Sequence, residues 1–114
     1  MKILELVIDA YGCDSTILNN KKILLRTLKE SAKKVGAKVI KENFYKYEPQ
    51  GISIVLFLAE SYISIYTWPE FGYATIGIFL CNERMDPFKV WKIIKEKIRP
   101  KSFKLRRILH LINR

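Results

Sequence analysis

Four strand-like segments follow one another through the middle of this chain, and the connections between them are too short to hold a crossover helix. Val39 to Tyr47, Ile52 to Leu58, Ser61 to Thr67 and Tyr73 to Leu80 are each enriched in β-branched and aromatic residues. The joints between them carry Pro49-Gln50-Gly51, Glu60-Ser61 and Pro69-Glu70-Phe71-Gly72. Parallel neighbours need a crossover of about a dozen residues or more, so these segments are expected to pair antiparallel.

The flanks add two helices and two further strands. Ile3, Leu4, Leu6, Val7 and Ile8 form a short apolar run ending at Tyr11-Gly12, which predicts a buried strand over Lys2 to Asp9. The period then changes to three and four in Leu18, Ile23, Leu24, Leu25, Leu28, Ala32 and Val35, with Gly36 placed for a helix C-terminus. Asp14 is suited to cap a short first turn and Asn20 the main helix. A second helix is expected after the cap Asp86 and Pro87, with Phe88, Val90, Trp91, Ile94 and Ile98 as its apolar stripe and Pro100 beyond its end. Ser102 to Leu109 reads as the last strand. The order β-α-β-β-β-β-α-β implies an α+β, two-layer sandwich: one mostly antiparallel sheet with both helices on one face. A single domain over 1-114 is expected, with no repeat or linker. The helix-free face would carry Phe, Tyr and Ile residues and need a partner, for which a homodimer packing edges or faces together is the expectation.

Composition narrows the function classes. No apolar run approaches the ~20 residues of a membrane-spanning helix, and Met1-Lys2 does not open a signal peptide, so a cytoplasmic protein off the membrane is expected. Cys13 and Cys81 form no CxxC pair and His110 is the single histidine, which argues against a metal site; reduced thiols are the default. The net charge of +10 would suit a nucleic-acid binder, yet Lys21, Lys22, Arg26, Lys29, Lys33 and Lys34 fall on one helix where a solvated face accounts for them. In the tail, Lys101, Lys104, Arg106, Arg107 and Arg114 alternate with Phe103, Leu105, Ile108, Leu109 and Leu111, as in an edge strand protected by charge. Nucleic acid is therefore not the expected partner.

The segment Glu60-Ser-Tyr-Ile-Ser-Ile-Tyr-Thr-Trp-Pro-Glu70 resembles the E-S-H-x-[ST]-x-H-T-W-P-E signature of the small bacterial and archaeal S-adenosylmethionine decarboxylase proenzymes. The likeness continues in Tyr11-x-Cys13-Asp14, Phe44 to Tyr47 and Gly51-x-Ser53 upstream, and in Gly72-Tyr73-Ala74, Cys81 and Asp86-Pro87 downstream, covering residues 3 to 98. The resemblance implies self-cleavage between Glu60 and Ser61. The serine attacks its own preceding carbonyl, and elimination and hydrolysis leave a pyruvoyl group derived from Ser61. That ketone forms a Schiff base with the substrate amine and acts as an electron sink for decarboxylation, with no metal and no pyridoxal phosphate. By the same resemblance Ser53 assists processing, and Cys81 protonates the product carbanion. Tyr47 and Trp68 stack on adenine, while Glu70 binds ribose hydroxyls. The implied substrate is S-adenosylmethionine, decarboxylated for spermidine synthesis.

Two signature positions depart from the pattern. Tyr62 stands at the first histidine and Tyr66 at the second, which in the family is implicated in proton transfer during processing. Tyrosine, with a reference pKa of about 10, is a poor base at neutral pH, although it can donate a hydrogen bond or relay a proton. The family's His-x-Glu-Arg-Gly-like ending is also replaced by the basic tail. Three readings stay open at this point. One is a working decarboxylase of S-adenosylmethionine, or of another amino acid such as arginine. The others are a non-processing paralogue that binds a nucleoside or regulates an active partner, and a nucleic-acid-binding module.

Overall fold

The computed structural model describes residues 1–113. Its elements are β1 (Lys2–Tyr11), α1 (Ser15–Leu18), α2 (Lys21–Lys34), β2 (Val39–Lys46), β3 (Ile52–Leu58), β4 (Ser61–Trp68), β5 (Tyr73–Phe79), α3 (Pro87–Ile98) and β6 (Ser102–Leu111), with a 3₁₀ turn at Pro69–Phe71 before β5. The strands form one sheet in the order β2-β3-β4-β5-β1-β6, and every pairing is antiparallel. Both long helices lie on one face, so the expected α+β two-layer architecture is the one observed.

Local chemistry explains where the helices begin and end. The Asp14 carboxylate accepts from the backbone N–H groups of Thr16 and Ile17 at 3.0 and 3.2 Å. Asn20 accepts from Ile23 N–H at 3.1 Å and Asp86 from Phe88 N–H at 2.9 Å, with Pro87 filling the first helical position. Each such cap satisfies an N–H that the helix cannot pair internally and contributes about 1 kcal/mol. α2 ends where Gly36 turns left-handed (φ +79°) and Ala37 N–H reaches back to Ala32 O at 2.9 Å. Leu18, which shares the helical period, belongs to the short α1, because the second cap at Asn20 restarts the chain in a new direction.

Alternation along the strands builds the core. Leu6 and Ile8 on β1, Ile54 and Leu56 on β3, Ile63 and Ile65 on β4, and Ile76 and Ile78 on β5 are fully buried against Leu24 and Leu28 of α2 and Val90, Ile94 and Ile98 of α3. Burial of one such side chain is worth about 1.5–3 kcal/mol. The tail is an edge strand, as its charge pattern predicts. It is longer than expected, because the pairing with β1 continues unbroken from Tyr11↔Ser102 to Lys2↔Leu111.

Truncating a buried core side chain should be costly and truncating an edge one should not. Ile65→Ala is expected to lose about 2–5 kcal/mol, while Ile40→Ala, at a side chain 59% exposed on β2, should change stability by less than about 0.5 kcal/mol. Urea unfolding of both variants checks the difference.

Candidate active site

The residues singled out by the sequence fall into two clusters at opposite ends of the β3–β4 hairpin. At the turn, Glu60 adopts a left-handed backbone (φ +59°) that a residue with a Cβ enters only at a cost. Ser61 follows as the first residue of β4, opposite Leu58. Its hydroxyl oxygen accepts a hydrogen bond from the Cys81 backbone N–H at 2.8 Å, which joins the β3–β4 turn to the segment just beyond β5. Cys81 is a free, half-buried thiol. Cys13 is also free but buried, and desolvation pushes its thiol up to about 11. No group of three His, Cys, Asp or Glu residues able to hold a metal ion occurs among the described residues.

The second cluster lies on the helix-free face. Ser53 of β3 and Tyr66 of β4 stand directly opposite one another, and the Tyr47 hydroxyl is 3.0 Å from Ser53 Oγ. With Gln50, Gly51, Trp68 and Glu70 these residues line an open cleft of about 360 Å³. Aromatic rings continue from it. The Trp68 and Tyr73 centroids are 5.3 Å apart, and Tyr73 stacks on Tyr11 at 5.5 Å. Gly51, at φ +106°, sits under the cleft where an added Cβ would lie 3.1 Å from Thr67 O. Thr67 itself points into the core. Its hydroxyl donates to Leu18 O at 2.8 Å and accepts from Ile52 N–H at 2.9 Å, pinning the signature strand to α1 and β3.

The fold therefore brings Ser61 together with Cys81, and Ser53 with Tyr47, Tyr66, Trp68 and Glu70, but it does not bring the two sets together. Ser61 and Tyr66 are five steps apart along β4, about 17 Å at the usual strand rise, and that odd number of steps gives them opposite positions in the pleat. A larger hollow, about 840 Å³, runs beside α2 past Lys21, Lys22, Arg26, Lys29, Lys33 and Lys38. It contains none of the signature residues.

Sequence reasoning missed two cross-strand networks on the helix-free face. Glu5 Oε2 accepts from the Tyr62 hydroxyl at 2.9 Å while Glu5 Oε1 is 2.8 Å from His110 Nε2. Asp9 accepts from the Tyr73 hydroxyl at 2.7 Å and from Arg106 at 2.8 Å. The Tyr73 and Arg106 bonds hold the Asp9 carboxyl below the usual carboxylate range, and the bond to Asp9, followed by burial, pushes the Tyr73 phenol up to about 12. The available signal was the placement of Glu5 and Asp9 four apart on the polar parity of β1, with Arg106 and His110 equally spaced on the tail.

Comparison with known proteins gives one consistent answer. The family model described as S-adenosylmethionine decarboxylase matches residues 4–110. The chain is 42% identical over 95 residues to the S-adenosylmethionine decarboxylase proenzyme of Caldicellulosiruptor saccharolyticus, covering 83% of this chain and 77% of that one. It is 41% identical over 98 residues to that of Clostridium kluyveri, covering 86% and 78%. The fold resembles the crystal structure of the adenosylmethionine decarboxylase from Aquifex aeolicus with a TM-score of 0.85 at 27% identity, over 95% of this chain and 88% of that one.

The two thiols should differ in reactivity. Because the thiolate is the reactive form and Cys13 is buried with a raised pKa, iodoacetamide near pH 8 should modify Cys81 roughly tenfold or more faster. Peptide mapping of briefly alkylated native protein reads this directly; equal labelling would contradict the burial of Cys13.

Proposed function

The chain belongs to the S-adenosylmethionine decarboxylase family, and on that premise we propose that it cuts itself between Glu60 and Ser61 and then decarboxylates S-adenosylmethionine for spermidine synthesis. The observation that carries the reading is the junction itself: a left-handed Glu60 followed by a serine whose hydroxyl is held by the Cys81 N–H. A left-handed residue with a Cβ costs about 1–2 kcal/mol, and breaking the adjoining peptide bond releases that constraint. The Cys81 N–H donates to Ser61 Oγ, so the serine's own proton remains free to leave during attack.

Ser61 Oγ bonds to the Glu60 carbonyl carbon, the Glu60–Ser61 C–N bond breaks, and the hydroxyl proton ends on the freed nitrogen, leaving an ester. Loss of the Ser61 Cα proton with cleavage of the Cβ–Oγ bond then expels Glu60 as the carboxylate end of the first fragment. Addition of water and loss of ammonia leave a ketone at residue 61. The junction fits this pyruvoyl group, because residue 61 is its source and the backbone N–H of Cys81, a residue with a free thiol, meets its oxygen at 2.8 Å. The group supplies an electron sink for decarboxylation.

This chain's residues supply the remainder. In the assignment proposed here, Cys81 returns a proton to the substrate carbon, Tyr47 and Trp68 flank the adenine and Glu70 accepts from the ribose hydroxyls. Ser53 and Tyr66 act in processing, with the Tyr66 hydroxyl in the place of a histidine. Because Ser61 and Tyr66 stand about 17 Å apart within one chain, a second copy must supply the cleft. A homodimer that packs the helix-free faces together and sets the β3–β4 turn of one copy at the cleft of the other meets this requirement. It also covers Tyr11, Tyr45, Phe57, Tyr66, Trp68 and Ile108, exposed on that face, and apolar side chains gathered on one open face mark an interaction surface.

Intact-mass spectrometry tests the reading. The expected result is two fragments, 1–60 and a pyruvoyl-bearing 61–114, while Ser61→Ala stays in one piece; a wild-type chain that remains whole after prolonged incubation overturns it. Tyr66→His should accelerate cleavage, by about tenfold or more if base strength limits the wild type. Carbon dioxide release should follow S-adenosylmethionine and not arginine. Sedimentation should give a dimer at micromolar concentration, and a monomer there would remove the shared site.

A further inference from the structure

The new N-terminus made by cleavage has no covalent tether on its left side, and chain ends of this kind fray unless something ties them down. Tyr62, the next residue, is tied unusually far. Its ring lies flat on Phe79 of β5, with centroids 5.7 Å apart and planes within 3°. It then passes over Gly77, where an added Cβ would come within 3.3 Å of Tyr62 Cε1 and 2.8 Å of Ser64 Oγ. The absence of a side chain at Gly77 is what lets the phenol cross β5 and reach Glu5 on β1. Glu5 in turn meets His110 on β6, whose ring packs edge-on against Phe79 at 5.4 Å. A carboxylate can only accept, so both Tyr62 and His110 Nε2 donate to it. Burial, followed by the bond to Glu5, pushes the Tyr62 phenol up to about 12 and keeps it a donor.

We propose that Tyr62, Glu5 and His110 form a clamp across β4, β5, β1 and β6 that holds residue 61 in the sheet after the Glu60–Ser61 bond is cut. The proposal rests on the self-cleavage reading and gives the tail strand a task in it. The three are positioning residues: they act on the reacting group through the backbone of residues 61 and 62. His110, on β6, contributes the far donor, and Tyr62, on β4, contributes the near one.

The test separates clamp from cleavage. Tyr62→Phe keeps the ring on Phe79 and removes only the hydroxyl. His110→Leu removes the far donor, and His110→Gln keeps one. Hydrogen exchange of the amides of residues 62 to 64 is read in the cleaved protein and also in the uncleavable Ser61→Ala chain. The expected result is exchange roughly tenfold faster in Tyr62→Phe and His110→Leu and near parental in His110→Gln. In the cleaved protein kcat should fall about tenfold at unchanged KM, with His110→Gln largely restoring it. Unchanged exchange in both disabling variants, a faster exchange with undiminished kcat, or His110→Gln behaving like His110→Leu overturns the clamp. A wild-type chain that never cleaves defeats the self-cleavage reading instead, and exchange in the Ser61→Ala chain then decides whether the clamp holds β4.

Discussion

The pleat of β4 is the constraint on which the rest of the molecule depends. Ile63, Ile65 and Thr67 must face the helices, because two of them fill the core and the third satisfies a backbone acceptor of α1 and a backbone donor of β3. With that parity fixed, Tyr62, Ser64, Tyr66 and Trp68 have no choice but the helix-free face. A slip of one residue would bury two tyrosines and a tryptophan under α2 and expose two isoleucines. The same parity puts Ser53 opposite Tyr66 and aims Tyr62 across Gly77, so a packing requirement on one side of the strand sets the chemistry on the other.

The basic tail illustrates how net charge misleads when its geometry is unknown. The net charge of +10 says nothing of where the cations sit, and in the tail Arg106 meets Asp9 and His110 meets Glu5, carboxylates of the neighbouring strand. Arg106 is exposed and its pair with Asp9 adds little to stability by itself. What matters is direction: Asp9 also receives Tyr73 of β5, and Glu5 also receives Tyr62 of β4, so one carboxylate links the tail to β5 and the other to the strand of the signature. The charge of β6 thus protects an edge, as expected of such a strand, and orders the face beside it.

Much of this was legible in the sequence because it is local. Alternation over Ile52 to Leu58 and Ser61 to Thr67, caps at Asp14, Asn20 and Asp86, and the short joints fixed the elements and their antiparallel pairing. The signature and the likeness flanking it singled out Ser61, Cys81, Ser53, Tyr66, Tyr47, Trp68 and Glu70 as candidates. Their grouping was not legible, since it depends on register. Nothing in the spacing shows that Cys81 N–H reaches Ser61 Oγ or that the Tyr47 hydroxyl meets Ser53 Oγ. The partners of Glu5 and Asp9 lie 57 to 105 positions away along the chain, a separation that period-reading windows never span.

The two lost histidines accordingly differ in kind. Tyr62 is engaged: stacked on Phe79, bonded to Glu5 and held protonated far above neutral pH, it is removed from proton transfer and suited to holding. Tyr66 is different, standing half-open at 39% exposure in a cleft beside Ser53, with its hydroxyl free to meet a group from outside its own chain. A histidine at 62 would be too short to cross Gly77 and meet Glu5 as the phenol does, so that replacement brings a new contact. The replacement at 66 brings no hydrogen bond of its hydroxyl among the described residues. If one substitution is tolerated for what it adds and the other for what a partner supplies, reversing them should act on different steps: position 66 on the rate of cleavage, position 62 on the order of the chain end that cleavage creates.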